Sequence, residues 1–101
     1  MASRIELQTL LEEILGSRNV YFQPPASKQL SYPAIVYSLN RIKVEHAEDN
    51  KYKVDKSYTL TLIDPNPDSQ FVDKLLMLPY CAFDRQFKSD NLNHFTFTIY
   101  F

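Results

Sequence analysis

Glycine is almost missing from this sequence: among 101 residues only Gly16 is one. Phosphate-cradling loops and dinucleotide fingerprints need several glycines so that the backbone can approach the ligand closely. Neither can be built here, and nucleotide-dependent catalysis drops out with them. Cysteine is as scarce. Cys81 stands alone and has no internal partner, whereas a secreted domain of this size usually carries several. The expectation is a reducing compartment. An excess of one charge is lacking too, with eleven Lys and Arg against twelve Asp and Glu and a net charge of -1. A protein whose main task is to coat nucleic acid would show a basic face. Long apolar runs are absent from the N-terminus, where MASRIELQTLLEEIL carries three glutamates. It reads as neither a signal peptide nor a membrane span, which needs about 20 nearly uninterrupted apolar residues. The expectation is a soluble chain, unexported by that route.

What is present is the composition of an ordinary globular domain, 45% apolar and 23% charged, and a length that suits one unit over 1–101. Ser3 followed by Glu6 forms a capping box that starts a helix. Ile5, Leu7, Leu10, Leu11, Ile14 and Leu15 then recur at spacings of three and four up to Gly16, which sits where a left-handed cap is wanted. Val20 to Phe22 is a short strand. Tyr32-Pro33 forces an extended backbone, and Ala34 to Glu45 alternates as a long strand with Ile35, Tyr37 and Leu39 on one face. His46 to Lys51 reads as a turn, and Tyr52 to Asp64 returns antiparallel. From Arg41 to Lys56 this hairpin carries five basic and four acidic residues, so its end should project into water or meet a charged partner.

Asp64-Pro65-Asn66-Pro67-Asp68-Ser69 cannot be a regular element, and its Asp and Ser suit a helix cap. Phe71, Val72, Leu75, Leu76 and Leu78 give the following helix an apolar stripe that Pro79 closes. Cys81 to Phe83 reads as a strand, Asp84 to Asn91 as a polar turn, and Leu92 to Phe101 as a final strand. The order α-β-β-β-α-β-β defines an α+β domain: an antiparallel sheet with two helices on one face and a long projecting hairpin.

No constellation of residues rises to catalysis. Cys81 with His46 or His94 would be the only nucleophile pairs, and a lone cysteine between Tyr80 and Phe83 reads more simply as a small buried apolar residue. Asp64-x-Asn66-x-Asp68 resembles the opening of a calcium loop, but Ser69 and Leu75 stand where that loop needs glycine and glutamate. Glu12-Glu13 and Glu48-Asp49 read as solvated charges. No catalytic, cofactor or metal residue is assigned. A small metal-dependent nuclease using Asp64, Asp68 and His94, or a monomeric binding module, are the alternatives from other classes.

The informative segment is HFTFTIYF, in which Phe95, Phe97, Ile99 and Phe101 alternate with His94, Thr96, Thr98 and Tyr100. Uncharged and without proline, it would be an aggregation hazard on a bare edge. It must lie centrally, under a helix, or against another subunit. Seven Tyr and seven Phe in so small a domain favour a homo-oligomer.

The runs YPAIVYSLNRIKVEHAEDNKY, YTLTLIDPNPDS and LLMLPYCAFDRQFKSDNLNHFTFTIYF, covering residues 32 to 101, resemble the tail-terminator (tail-completion, head-tail joining) proteins of long-tailed bacteriophages. The likeness rests on Tyr32-Pro33, the Asn/Pro/Asp/Ser turn after a strand, the FDR motif at Phe83 to Arg85, and Asn91-Leu92-Asn93-His94 before the last strand. It implies a structural virion protein of the tail neck, assembled in the host cytoplasm, that forms a hexameric ring. Such a ring caps the tail tube protein and joins it to the head-side connector or stopper protein. A head-completion or connector protein is the nearest variant. DNA would pass through the lumen without sequence-specific recognition, and neither a membrane nor a cofactor is implied. The expected subunit contacts are Arg41, Lys43, Glu45, Lys51, Lys53 and Lys56 on the arm, with Phe97, Ile99 and Phe101 on the last strand.

Overall fold

The computed structural model describes residues 4–46 and 52–101. Two helices and five strands follow one another as α1 (Arg4–Leu15), β1 (Val20–Phe22), β2 (Ala34–His46), β3 (Tyr52–Asp64), α2 (Gln70–Leu76), β4 (Cys81–Ser89) and β5 (Leu92–Tyr100). The class is α+β and the element order is the expected one. The strands form a single sheet in the spatial order β1-β2-β3-β5-β4. The sheet is mixed: β1 runs parallel to β2, and every other pairing is antiparallel. The antiparallel expectation fails only at β1, because a local apolar pattern marks a strand without stating its direction.

Alternation divides the sheet into two faces. The inner face carries Ile35 and Tyr37 of β2, Tyr58, Leu60 and Leu62 of β3, and Phe95, Phe97 and Ile99 of β5. All are buried, together with Leu7, Leu11 and Leu15 of α1 and Leu75 of α2. Both helices therefore cover this one face. Leu7, Leu11 and Leu15 recur every four residues and form the buried stripe of α1, whereas Ile5 points to solvent. Gly16, at φ 75°, ends α1, and its N–H donates to the Glu12 carbonyl at 2.9 Å. That left-handed turn is the one a glycine adopts at no steric cost. The expected cap at Ser3 lies outside the described residues.

A polar chain fastens α1 to the sheet. Tyr37 Oη donates to Gln8 Oε1, and Gln8 Nε2 donates to Glu12 and to the Val20 carbonyl at 3.0 Å. The Arg4 guanidinium lies 4.5 Å from the centre of the Phe22 ring. Before α2, the Asp64 carboxylate accepts the Asn66 N–H at 2.9 Å and the Asn66 side chain accepts the Asp68 N–H at 3.0 Å. Ser69 Oγ then caps α2 by accepting the Phe71 N–H. These residues do the turn and cap work their side chains suit.

The C-terminal pair differs from the sequence reading. β4 continues through Asp84 to Ser89, and the turn shrinks to Asp90 and Asn91, both at positive φ (54° and 62°). Asp and Asn tolerate that conformation better than most residues, which makes a two-residue hairpin turn possible without glycine. Similarly, β2 reaches His46, one residue beyond the expected end; the rest of the expected turn lies outside the described residues.

Candidate assembly surfaces

Ladder lengths define the projecting arm. β5 accompanies β3 only from Asp64 to Ser57, where Tyr100 is the last partner, while β2 and β3 continue together to the pair His46–Tyr52. The Lys56 carbonyl still accepts the Phe101 N–H at 3.2 Å, and beyond it the two strands pair with each other. A strand of 13 residues spans about 43 Å at the usual rise, and the molecule measures 52 × 28 × 23 Å. The arm starts at a bulge between Leu39 and Arg41, which adds a residue to β2 and bends it out of the body. Asn40 occupies the bulge and donates to Ser57 Oγ at 3.4 Å.

The expected contact residues separate into two groups. Arg41 is exposed and opposite Ser57, Lys56 is half-buried and opposite Ile42, and the backbone register sets Lys43 opposite Asp55 and Glu45 opposite Lys53. All five lie on the arm. Lys51 falls outside the described residues. Phe97 and Ile99 do not belong to a contact surface: at 0% and 1% exposure they are the centre of the subunit's own core, under the helices. Their alternation reflects a strand held centrally between β3 and β4, one of the outcomes open to it. Phe101 is partly buried against the same core.

The surface that sequence reasoning missed is β4. It is the outer strand of the sheet, and every residue from Ala82 to Ser89 is exposed. Phe83 packs edge-on against Phe97 with ring centres 5.4 Å apart, and Phe87 stacks on His94 at 4.8 Å on the opposite face. The Arg85 guanidinium lies 5.2 Å from the Phe87 ring centre. Next to β4, Met77 and Tyr80 at the end of α2 are 85% and 78% exposed. A long strand edge with aromatic neighbours is a template for pairing with another chain. The signal available in the sequence was Asp90-Asn91, a dipeptide tolerant of positive φ between two apolar-containing segments.

The outer face of the sheet is lined by short side chains: Val36, Thr61 and Thr96 in one row across the strands, and Ser38, Thr59 and Thr98 in the next. No described helix covers it. Thr98 Oγ1 donates to Asp84 at 2.8 Å, and Thr96 Oγ1 is buried without a hydrogen-bond partner.

The groups weighed for chemistry are scattered. Cys81 lies on the inner face opposite Ile99, whereas His94 lies on the outer face opposite Ile63 and Phe87. Burial, with a smaller contribution from the Asp84 carboxylate, pushes the Cys81 thiol up from its ordinary value, which favours the less nucleophilic protonated form. Asp64 is engaged in its own loop, and His94 Nδ1 is paired with the Leu92 carbonyl at 3.2 Å. Among the described residues no group of three or more His, Cys, Asp or Glu side chains is placed to hold a metal ion. None of the described helices is long and apolar enough to cross a membrane.

No described protein family matches the chain, and no curated protein is similar to it.

Proposed function

We propose that this protein is a structural subunit of the neck of a long-tailed bacteriophage: a tail terminator that works as a ring on the head-proximal end of the tail. The supporting observation is the arm. Beyond Lys56 the ladder of β2 with β3 runs on to the pair His46–Tyr52, past the last residue of β5. Isolated two-stranded hairpins are marginal in water, so a long one gains most when a neighbour covers it. In a ring each subunit offers one surface to the next and receives another, and an arm on one side of a compact body suits such head-to-tail contacts. The work is done by shape, with no reaction, on the virion, and the arm's mixed charges set its partner and register. Partners are further copies of the chain, the tail tube and the head-side connector, with DNA passing through the lumen.

The test is replacement of Lys51, Lys53 and Lys56 together by glutamate. Light scattering should show loss of a ring of about 71 kDa, six times the 11.9 kDa chain, with the far-UV circular dichroism unchanged. Immunogold labelling of assembled particles should find the native protein at the head-tail junction. A protein absent from the particle, or a charge-reversed variant that assembles as before, refutes the reading.

A further inference from the structure

The exposed edge of β4 is built as a palindrome. Its ladder with β5 carries a bulge between Phe83 and Arg85, so two residues, Asp84 and Arg85, face one, Thr96. Before the bulge, Cys81 and Phe83 lie on the inner face opposite Ile99 and Phe97, and Ala82 lies on the outer face opposite Thr98. Asp84 also points outward, where it accepts the Thr98 hydroxyl. After the bulge, Arg85 and Phe87 lie outward opposite Thr96 and His94, and Gln86 and Lys88 inward opposite Phe95 and Asn93. From Cys81 to Lys88 the order is therefore in, out, in, out, out, in, out, in. It reads the same from either end.

The backbone repeats the symmetry. A two-residue turn makes Ser89 and Leu92 a hydrogen-bonding pair, and antiparallel alternation then aims the free amides and carbonyls of Lys88 and Gln86 away from β5. At the other end the Tyr100 N–H donates to the Tyr80 carbonyl, so the same alternation aims those of Cys81 and Phe83 outward.

We propose that β4 pairs antiparallel with β4 of a second copy across a two-fold axis between Asp84 and Arg85, joining two five-stranded sheets into one. In this register Asp84 stands opposite Arg85, Phe83 opposite Gln86, Ala82 opposite Phe87, and Cys81 opposite Lys88. Every opposed pair shares a face, and the outward-aimed backbone groups meet one another. Moving the register by one residue sets inward side chains against outward ones, which an antiparallel ladder does not permit. The occupant is fixed by charge as well: Asp84 meets Arg85 twice, once on each side of the axis, whereas a copy centred on Arg85 would oppose like charges. This contact uses the side of the sheet away from the arm, is two-fold where a ring contact is head-to-tail, and stands independently of the ring.

Two experiments on the full-length protein test it. In Lys88→Cys the new thiol should lie opposite the native Cys81 of the second copy, at the roughly 5.5 Å Cα separation that a disulfide spans. Oxidised glutathione as electron acceptor should then convert it to a covalent dimer on a non-reducing gel, while Cys81→Ser/Lys88→Cys should stay a single chain. With the arm contact removed by Lys51→Glu, Lys53→Glu and Lys56→Glu together, sedimentation equilibrium should find a species near 24 kDa, twice 11.9 kDa. Arg85→Asp and Asp84→Arg should each weaken it at least tenfold, and the double swap Asp84→Arg/Arg85→Asp should restore it, with the circular dichroism spectrum unaltered throughout. A monomer at every concentration, cross-linking that ignores Cys81, or a double swap no better than the single changes would overturn the two-fold pair. None of these outcomes touches the arm, and a particle lacking the protein would leave this pair standing.

Discussion

β4 and β5 are the two strands of one hairpin, each nine residues long and each bearing aromatic side chains, yet their surroundings are opposite. In β5, Phe95, Phe97 and Ile99 are sealed beneath the helices; in β4, Phe83 and Phe87 face water. Residue type does not separate them. Position does: β5 has a strand on each side and α1 and α2 above it, whereas β4 ends the sheet. An aromatic strand is a core element where layers meet over it and a binding edge where they stop.

The comparison is easiest to break at its buried end. Phe97→Ala removes a fully buried ring from between the helices and the sheet, and urea unfolding should register a loss of about 3–5 kcal/mol. A loss under 1 kcal/mol would mean that the strand is not the centre of the core.

The arrangement was legible in the sequence wherever local chemistry and alternation agreed. β1 and β3 have the expected bounds, Gly16 and Ser69 cap their helices as expected, and the arm emerges at Arg41 and Lys56 as the charge pattern suggests. The second half of β4 was not legible for a physical reason. The bulge sets two polar residues, Asp84 and Arg85, side by side on one face, so Phe83 and Phe87 fall on opposite faces and the alternation that marks a strand disappears. The direction of β1 was equally hidden, since parallel pairing with β2 depends on where the chain returns after α1. Of the expected contact residues, Arg41 is exposed and Lys56 half-buried, while Phe97 and Ile99 lie in the core, because apolar alternation looks the same whether a helix or a neighbouring subunit covers it.

A smaller effect probes the seam between α1 and the sheet. Burial holds the Tyr37 phenol above its ordinary value near 10.0, outweighing the pull of the Arg4 guanidinium. The unfolded chain therefore gives up this proton first, and over that interval it binds fewer protons than the folded one. Stability is unaffected by this group below about pH 10 and falls as pH rises further. Unfolding midpoints taken at about pH 8 and about pH 10.5 should draw apart less in Tyr37→Phe than in the native protein, whatever constant offset the lost bond to Gln8 introduces. An unchanged pH slope would place the alkaline sensitivity elsewhere.

The smallest change is expected at the exposed end. Phe87→Ser leaves the layers untouched, and thermal unfolding of the separated monomer should move by no more than about 0.5 kcal/mol. A loss of several kcal/mol would show that the stack on His94 supports the fold, and the contrast between the two strands would collapse.

The tight reversal at Asp90 and Asn91 also bears on the sequence of events by which the chain acquires its shape. Joining β4 to β5 requires closure of only two residues, whereas β3 meets β5 after α2 and β4 have intervened. Short closures cost little chain entropy, and isolated hairpins of this kind form in about 1–10 μs. The quickest native ladder is thus also the last to be synthesised, so α1 can first settle on the apolar residues of β2 and β3 and gains Phe95, Phe97 and Ile99 only at the end.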